Sequence, residues 1–224
     1  MAEHKLISSH DEAGNIRTFV FETNGETWVA GQYQTWVLKQ AGETKDENQR
    51  FFTIAAAPSE GEFHISTRVG PSAFKQALNA LQPGDTIEAH GIEGDFTWEE
   101  TGEPVVLVAA GIGVTPFRSI LLERHAQGKP LNATLLHYNR EEAIPFKDNE
   151  FAKLQAEHPE LTIKYIVGEH VTTDSILENA PNALSHMTYL SGPEPMVDAV
   201  GDELIKRGVN LKQDWFPGYT ENTF

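Results

Sequence analysis

None of the 224 residues is cysteine. That excludes disulfides, thiolate zinc sites and a thiol nucleophile. It also excludes an iron–sulfur cluster held by thiolates of this chain. Basic residues are scarce: 17 Lys and Arg stand against 33 Asp and Glu, a formal charge of −16. The excess of acid is spread out, with 16 acidic and 7 basic side chains in residues 1–100 alone. Phosphate-backbone binding needs clustered Lys and Arg, so no nucleic-acid partner is expected. Long apolar runs are missing too. The longest, residues 104–110, is strand length and falls far short of the ~18 residues of a membrane span. The first residues, MAEHKLISSHDEAGNIRTF, are polar where a secretory signal needs an apolar stretch. A soluble cytoplasmic protein is expected. The nine histidines include no H-x-x-x-H pair, so no metal centre is expected.

What is present follows two different patterns. Residues 1–100 read as short β segments, at 4–8, 16–23, 35–40, 50–56, 62–67 and 85–89, punctuated by Asn24-Gly25, Ala41-Gly42 and Pro83-Gly84. Regular turns without long helical patterns indicate a small antiparallel barrel. One helix interrupts it: Phe74, Ala77, Leu78 and Leu81 form an apolar stripe behind Ser72 as N-cap. Residues 104–224 alternate instead. Strands at 105–110, 133–138, 161–167, 187–190 and 210–216 are separated by helices at 115–127, 147–157 and 194–207, with a polar loop after the third strand. That rhythm indicates a parallel sheet covered on both faces. The chain thus divides into residues 1–100 and 104–224.

Four motifs carry chemistry. Gly111-Ile112-Gly113-Val114-Thr115-Pro116 follows a buried strand and opens a helix, where glycines let a pyrophosphate approach and the helix terminus favours its charge. The third glycine of the dinucleotide fingerprint is absent, as is an isolated acid ending the second strand. Arg50-Phe51-Phe52-Thr53 sets a cation, two rings and a hydroxyl on one strand; read alone, it is an ordinary strand with core phenylalanines. Ser191-Gly192-Pro193-Glu194-Pro195-Met196 turns from a strand into a helix. The C-terminal run from Asp214 to Phe224 carries four aromatics, unusual where chains are normally polar.

In this order and at this spacing, the motifs resemble the ferredoxin–NADP reductase superfamily, with its R-x-Y-[ST], G-x-G-x-T-P, C-G-P-x-x-M and terminal aromatic. The reductase modules of flavohaemoglobins are especially similar. Gly91-Ile-Glu-Gly94-Asp-Phe96 adds a match to the family's G-P-x-G-x-F. The resemblance implies an FAD-binding antiparallel β-barrel followed by an α/β parallel-sheet domain for a nicotinamide nucleotide.

Residue by residue, the resemblance implies that Arg50 pairs with the FAD pyrophosphate. Phe51 and Phe52 belong to the flavin site, Phe52 stacking on the ring, and the Thr53 hydroxyl lies near flavin N5. Thr67, Arg68 and Val69 line the flavin and its ribityl chain, and Ser72, Phe74 and Lys75 hold its phosphate. Gly111, Ile112, Gly113, Thr115 and Pro116 receive the nicotinamide nucleotide; Asn139 and Arg140 lie at its ribose end. Gly192, Pro193, Glu194 and Met196 flank the nicotinamide. Thr53, Ser191 and Phe216 would act in hydride transfer, with Tyr219 close by. Three departures stand out. Phe52 replaces a tyrosine, and Ser191 replaces a cysteine. The chain also runs eight residues past Phe216, and that tail would have to move if it covers the flavin.

The activity implied is hydride transfer from NAD(P)H to FAD, then electron release to a separate acceptor, a small molecule or a redox protein. An electron-transfer subunit with little free activity, and a non-catalytic flavin sensor, are the alternatives. Arg140 favours the 2′-phosphate of NADPH, but Glu141 and Glu142 oppose it, which tips the expectation toward NADH. An acidic ferredoxin matches this acidic chain poorly.

Overall fold

The computed structural model describes residues 2–215, and two sheets divide them. Phe216 and Tyr219, expected beside the flavin, lie outside the described residues, as does the tail beyond them. The first sheet is antiparallel. Its strands are β1 (Ala2–Ala13), β2 (Ile16–Glu22), β3 (Tyr33–Val37), β4 (Gln49–Thr53), β5 (Glu62–Arg68) and β6 (Thr86–Glu93), in the order β4-β3-β6-β1-β2-β5. It curls until its two edges approach: the Ala55 N–H donates to the His64 carbonyl at 3.0 Å. Inside it Phe19, Phe21, Trp36 and Phe63 are buried to within 1% of full exclusion. A short helix, α1 (Lys45–Asn48), precedes β4. Helix α2 (Ala73–Ala80) packs Phe74 and Leu78 onto the same core, as its apolar stripe predicts. The Ser72 hydroxyl caps it by accepting the Lys75 N–H at 3.4 Å.

The second sheet is parallel. It comprises β7 (Val105–Ala110), β8 (Ala133–Asn139), β9 (Leu161–Val167), β10 (Thr188–Ser191) and β11 (Leu211–Asp214), ordered β11-β10-β7-β8-β9. The all-apolar β7 lies at its centre because both of its faces are covered. Val105, Leu107 and Ala109 pack with α3 (Thr115–Ala126) and α4 (Ala152–Glu157). Val106 and Val108 pack with α5 (Thr173–Asn179) and α6 (Glu194–Lys206). An antiparallel barrel-like sheet followed by an α/β sheet is the expected order of fold classes. Among the described residues no helix is long and apolar enough to cross a membrane.

Three elements differ from expectation, the first being the short α1, a second helix in the half where one was expected. The segment expected to be one helix over 147–157 begins as a π-helical turn, Lys147–Phe151, before α4. The polar loop after β9 contains α5, whose inner face holds little more than Ile176 and Thr173.

The halves are joined by buried polar contacts from α3. The Arg118 guanidinium donates to both Glu60 carboxylate oxygens, at 2.9 and 3.0 Å, and to the Ala55 carbonyl at 2.8 Å. On its own side it also meets Glu150 at 2.9 Å. The Ser119 hydroxyl donates to the Ala56 carbonyl at 2.6 Å.

Candidate active site

Strands β7 and β10 are hydrogen-bonded neighbours, yet the chain leaves them toward opposite sides of the sheet. Their C-terminal ends therefore open a crevice at the point where strand order reverses, the general ligand position in open α/β sheets. From β7 the chain passes through Gly111–Val114 into α3; from β10 it passes through Gly192 and Pro193 into α6. The two turns press together. A Cβ on Gly113 would lie 2.6 Å from the Ser191 carbonyl oxygen and 2.8 Å from its carbon. Gly192 is hemmed in by Met196 Cε and Ala110 Cβ. Gly111 takes φ 54°, a left-handed conformation that glycine adopts without strain.

The turn is held from below. His137 on β8 is fully buried, and its Nε2–H donates to the Gly111 carbonyl at 2.9 Å. Burial pushes its pKa down to about 4, against the smaller upward pull of that bond, so the ring is neutral at pH 7. The Thr115 hydroxyl donates to the Ile112 carbonyl at 3.1 Å. Pro116 sits in the first turn of α3, where its missing N–H costs nothing.

The two sheets face one another across a cleft with about 460 Å³ of open space. Phe51, Phe52, Thr53, Ser66, Thr67 and Lys75 line it from the antiparallel half. Ile112, Gly113, Thr115, Ser191 and Gly192 line it from the parallel half, together with Asp214 and Trp215. The structure thus brings residues of all four motifs to one surface.

Other predicted residues stand off that wall. Phe74 is wholly buried behind Phe52, ring centres 5.8 Å apart, with the Arg50 guanidinium 5.9 Å above it. Arg50 donates to the carbonyls of Asp46 and Gln49. Ser72 serves as the α2 cap, and the Val69 N–H pairs with the Asn15 carbonyl. Arg68 points away from Thr67 and reaches the Gly111 turn. Asn139 ends β8 with its side chain turned back onto the His137 carbonyl, and Arg140 follows, exposed. Pro193, Glu194 and Met196 form the entry to α6.

The electrostatics of the cleft oppose those of the whole chain. Burial, then Arg50, then Arg68 draw the Lys75 ammonium down to about 8. Lys75 thus lines the cleft with two guanidinium groups acting on it from behind the wall, an arrangement that an anion relieves. At the other side stands Asp214, which sequence reasoning did not single out. β10 and β11 pair it with Ser191, whose hydroxyl donates to Asp214 Oδ2 at 3.5 Å. Burial raises the Asp214 carboxyl to about 7; the serine lowers it, and Asp95 adds a smaller upward push. Its only mark in the sequence was its place at the start of the C-terminal aromatic run.

Residues 107–202 match the family model of the oxidoreductase NAD-binding domain. A flavohemoprotein of Candida albicans is 28% identical over 206 residues, covering 84% of this chain and 51% of the relative. Ferredoxin–NADP reductase B of Sorangium cellulosum is 34% identical over 154 residues, 65% of this chain and 62% of the relative. The FAD/NAD-binding domain of a nitric oxide dioxygenase from Vibrio cholerae shares the fold, with a TM-score of 0.79 at 22% identity over 96% of this chain and 98% of that one. The chain is similar to the ferredoxin–NADP reductase superfamily in sequence and in fold. It spans about half the length of the flavohemoprotein it matches.

Within this superfamily fold, the two departures in the cleft have physical consequences. Phe52 is 6% exposed and belongs to the barrel core, so it lines the cleft as an apolar surface and offers no hydroxyl. Its neighbour Phe51 stands half-buried, edge-on to Tyr33 at 5.9 Å. Ser191 keeps a small polar group against Gly113 and Asp214, where a thiol would be larger and softer.

Proposed function

We propose that this chain is an FAD-dependent NAD(P)H oxidoreductase acting in the cytoplasm. It would accept a hydride from the nicotinamide and pass electrons to a separate acceptor. The observation that carries this reading is the single cleft shared by the Phe51–Thr53 strand, Lys75, the Gly111–Thr115 turn and Ser191. The residues fit the cofactors on physical grounds. Arg50 and Lys75 supply positive charge for a diphosphate, Arg50 as a guanidinium fork. Phe51 and Phe52 offer an apolar wall for a flat ring, and Thr53 and Thr67 offer hydroxyls along it. Gly113 lets the turn before α3 close against Ser191, and the start of α3 favours the charge of a pyrophosphate. FAD, when bound, supplies the hydride-accepting and electron-releasing chemistry; the protein supplies binding and orientation.

Asp214 would hold a proton at its carboxyl beside Ser191. At neutral pH it sits near half-protonation, so it can give or take a proton as the cleft's charge changes. Its folded pKa is raised above the ordinary 3.8. The folded chain therefore binds the proton more tightly than the unfolded one, and stability falls as pH rises from about 4 to about 7. Asp214→Asn removes that penalty. The expected result is equal stability at pH 4 and a more stable variant at pH 8, by up to a few kcal/mol, read as a higher melting temperature there. The pH profile of flavin reduction should also lose its inflection near pH 7. A variant no more stable at pH 8, with the inflection intact, would show that Asp214 does not hold this proton.

The purified protein is expected to be yellow, and anaerobic NADH should bleach it. A colourless preparation that also fails to bind added FAD would overturn the reading. NADH is the proposed donor, because Glu141 and Glu142 directly follow Arg140 where a 2′-phosphate would lie. A kcat/KM at least tenfold higher with NADPH would reverse that choice. Turnover with dyes, quinones or ferric chelates supports a free-standing enzyme. Bleaching by NADH with no turnover on any of them supports an electron-transfer subunit.

A further inference from the structure

We propose that Ser66, Thr18, Glu12 and His10 form a proton relay from the cleft to solvent. When electrons pass to a one-electron acceptor, the proton of each transferred hydride leaves along this row of side chains. The inference rests on the function proposed above and gives it an exit route.

The row follows from strand pairing. His10 on β1, Thr18 on β2 and Ser66 on β5 stand opposite one another in the register of three adjacent strands. Side chains at directly opposed positions share a face and touch. Ser66 lines the cleft, and at the other end the His10 side chain is 54% exposed. An irregularity makes the link between them. The β1–β2 register shifts between Asp11 and Ala13, which leaves Glu12 opposite no residue of β2. A bulge of this kind re-aims a side chain. Here the Glu12 side chain is only 6% exposed, although His10 and Asp11 beside it are open to solvent.

Each contact in the row is a hydrogen bond. Ser66 Oγ and Thr18 Oγ1 lie 2.7 Å apart. The Thr18 hydroxyl donates to Glu12 Oε1 at 2.8 Å, and His10 Nε2 meets the same oxygen at 2.9 Å. A hydroxyl carries one hydrogen. Thr18 gives its hydrogen to Glu12, so Ser66 donates to Thr18. Both hydroxyl hydrogens therefore point away from the cleft and toward the carboxylate. A proton taken up by the Ser66 oxygen releases the Ser66 hydrogen to Thr18 and the Thr18 hydrogen to Glu12. His10, on the same carboxylate oxygen, hands it to solvent. His64 lies two residues along β5 on the same face. Burial, then Arg118, draw its pKa down to about 4 against the pull of Glu60, so it stays neutral at pH 7 and does not divert the proton.

The chemistry requires an exit. A hydride is one proton and two electrons. NADH and two one-electron acceptors give NAD⁺, two reduced acceptors and one proton, and that proton must leave the cleft. Cofactors that fill a cleft expel its water, which leaves fixed protein groups to carry the proton. Asp214, on the other side, can hold a proton there; the row from Ser66 leads out of the protein.

The test uses the FAD-loaded protein, reduced with NADH and mixed with ferricyanide in weak buffer containing a pH-indicating dye. The readout is the proton itself, followed by the dye, beside the electrons, followed by loss of ferricyanide colour. Glu12→Gln and Thr18→Val are expected to slow proton release at least about tenfold, with flavin content and the rate of bleaching by NADH unchanged. Thr18→Ser keeps the hydroxyl and should release its proton at the parental rate. Parental proton release in both Glu12→Gln and Thr18→Val would overturn the proposal. So would equal slowing in Thr18→Ser and Thr18→Val, or slowing of NADH bleaching to the same degree, since either would mark general damage to the cleft. Should Glu12→Gln or Thr18→Val fold poorly, Ser66→Ala decides by the same criteria. Failure of NADH to bleach the unsubstituted protein would sink the proposed function and the relay with it. Normal bleaching with unslowed proton release in the variants would sink the relay alone.

Discussion

Replacing Arg118 with methionine is expected to destabilise the protein by roughly 3–5 kcal/mol, the usual cost of stripping one partner from a buried ion pair. At 2–4 °C per kcal/mol for a chain of this size, the melting temperature should fall by about 10 °C. The methylene stem and volume are largely kept, so the loss is electrostatic. The Arg118 side chain is 6% exposed, with Glu60 and Glu150 at 30% and 25%. It also donates to the Ala55 carbonyl and lies 5.3 Å over the Phe146 ring. Methionine leaves two carboxylates facing one another around an apolar side chain. The effect should depend on pH in a definite direction. Burial alone would raise the Glu60 pKa, but the hydrogen bonds and charge of Arg118 hold it below its ordinary 4.5. That stabilisation is complete above the ordinary value and is lost as pH falls through the lowered one. The gap between the parent and Arg118→Met should therefore be full at pH 7 and narrow below pH 4. A gap that stays constant across this range would mean that Glu60 is not the partner that matters. Because Glu60 and Ala55 belong to the antiparallel half and Arg118 to α3, the same substitution should loosen the cleft and weaken retention of FAD.

Which parts of this were legible in the sequence follows from how local each signal is. β7 was readable because six successive apolar residues fit only a strand covered on both faces. α2 was readable from its stripe and its serine cap. α5 was hidden: Thr172–Asn179 offers one large buried side chain, Ile176, and its clearest marker is the cap in which Thr172 accepts the Ser175 N–H. The cleft was partly legible, since motifs that turn backbone into helix keep their glycines in sequence. Asp214 was not, because Lys212-Gln213-Asp214 reads as polar edge, and only Ser191 and the cleft wall show where its carboxyl lies. The alternation of β5 sent Thr67 and Arg68 to opposite sides. What lies beyond Arg68 is set by a second sheet, and no property of β5 encodes it. The Arg118–Glu60 pair joins residues 58 positions apart, and its partners are chosen by the docking of the halves.

Gly113→Ala should damage the site more than any substitution on the cleft wall. The expected result is at least a tenfold loss of NAD⁺ affinity and a stability cost of roughly 1–3 kcal/mol, as for other overpacked sites. Gly113 does not have the positive φ of Gly111, so the problem is space and not conformation. The added methyl would meet the Ser191 carbonyl group at 2.6–2.8 Å, and backbone cannot rotate aside as a side-chain tip can. Relief requires the β7 and β10 turns to separate. Ser191 ends β10 and pairs in register with Ala109 on one side and Asp214 on the other. Any shift of Ser191 therefore carries into the position of Asp214, on the wall the flavin would share. Gly111→Ala is the control. It adds a methyl 3.6 Å from the Arg68 guanidinium, with no backbone in the way, and pays only the smaller cost of alanine at φ 54°. Titration with NAD⁺, melting curves and the visible circular dichroism of the bound flavin should rank Gly113→Ala well below Gly111→Ala. They should also show the flavin signal altered in the former alone. Equal behaviour of the two variants would mean that the contact between the turns does not set the geometry of the site.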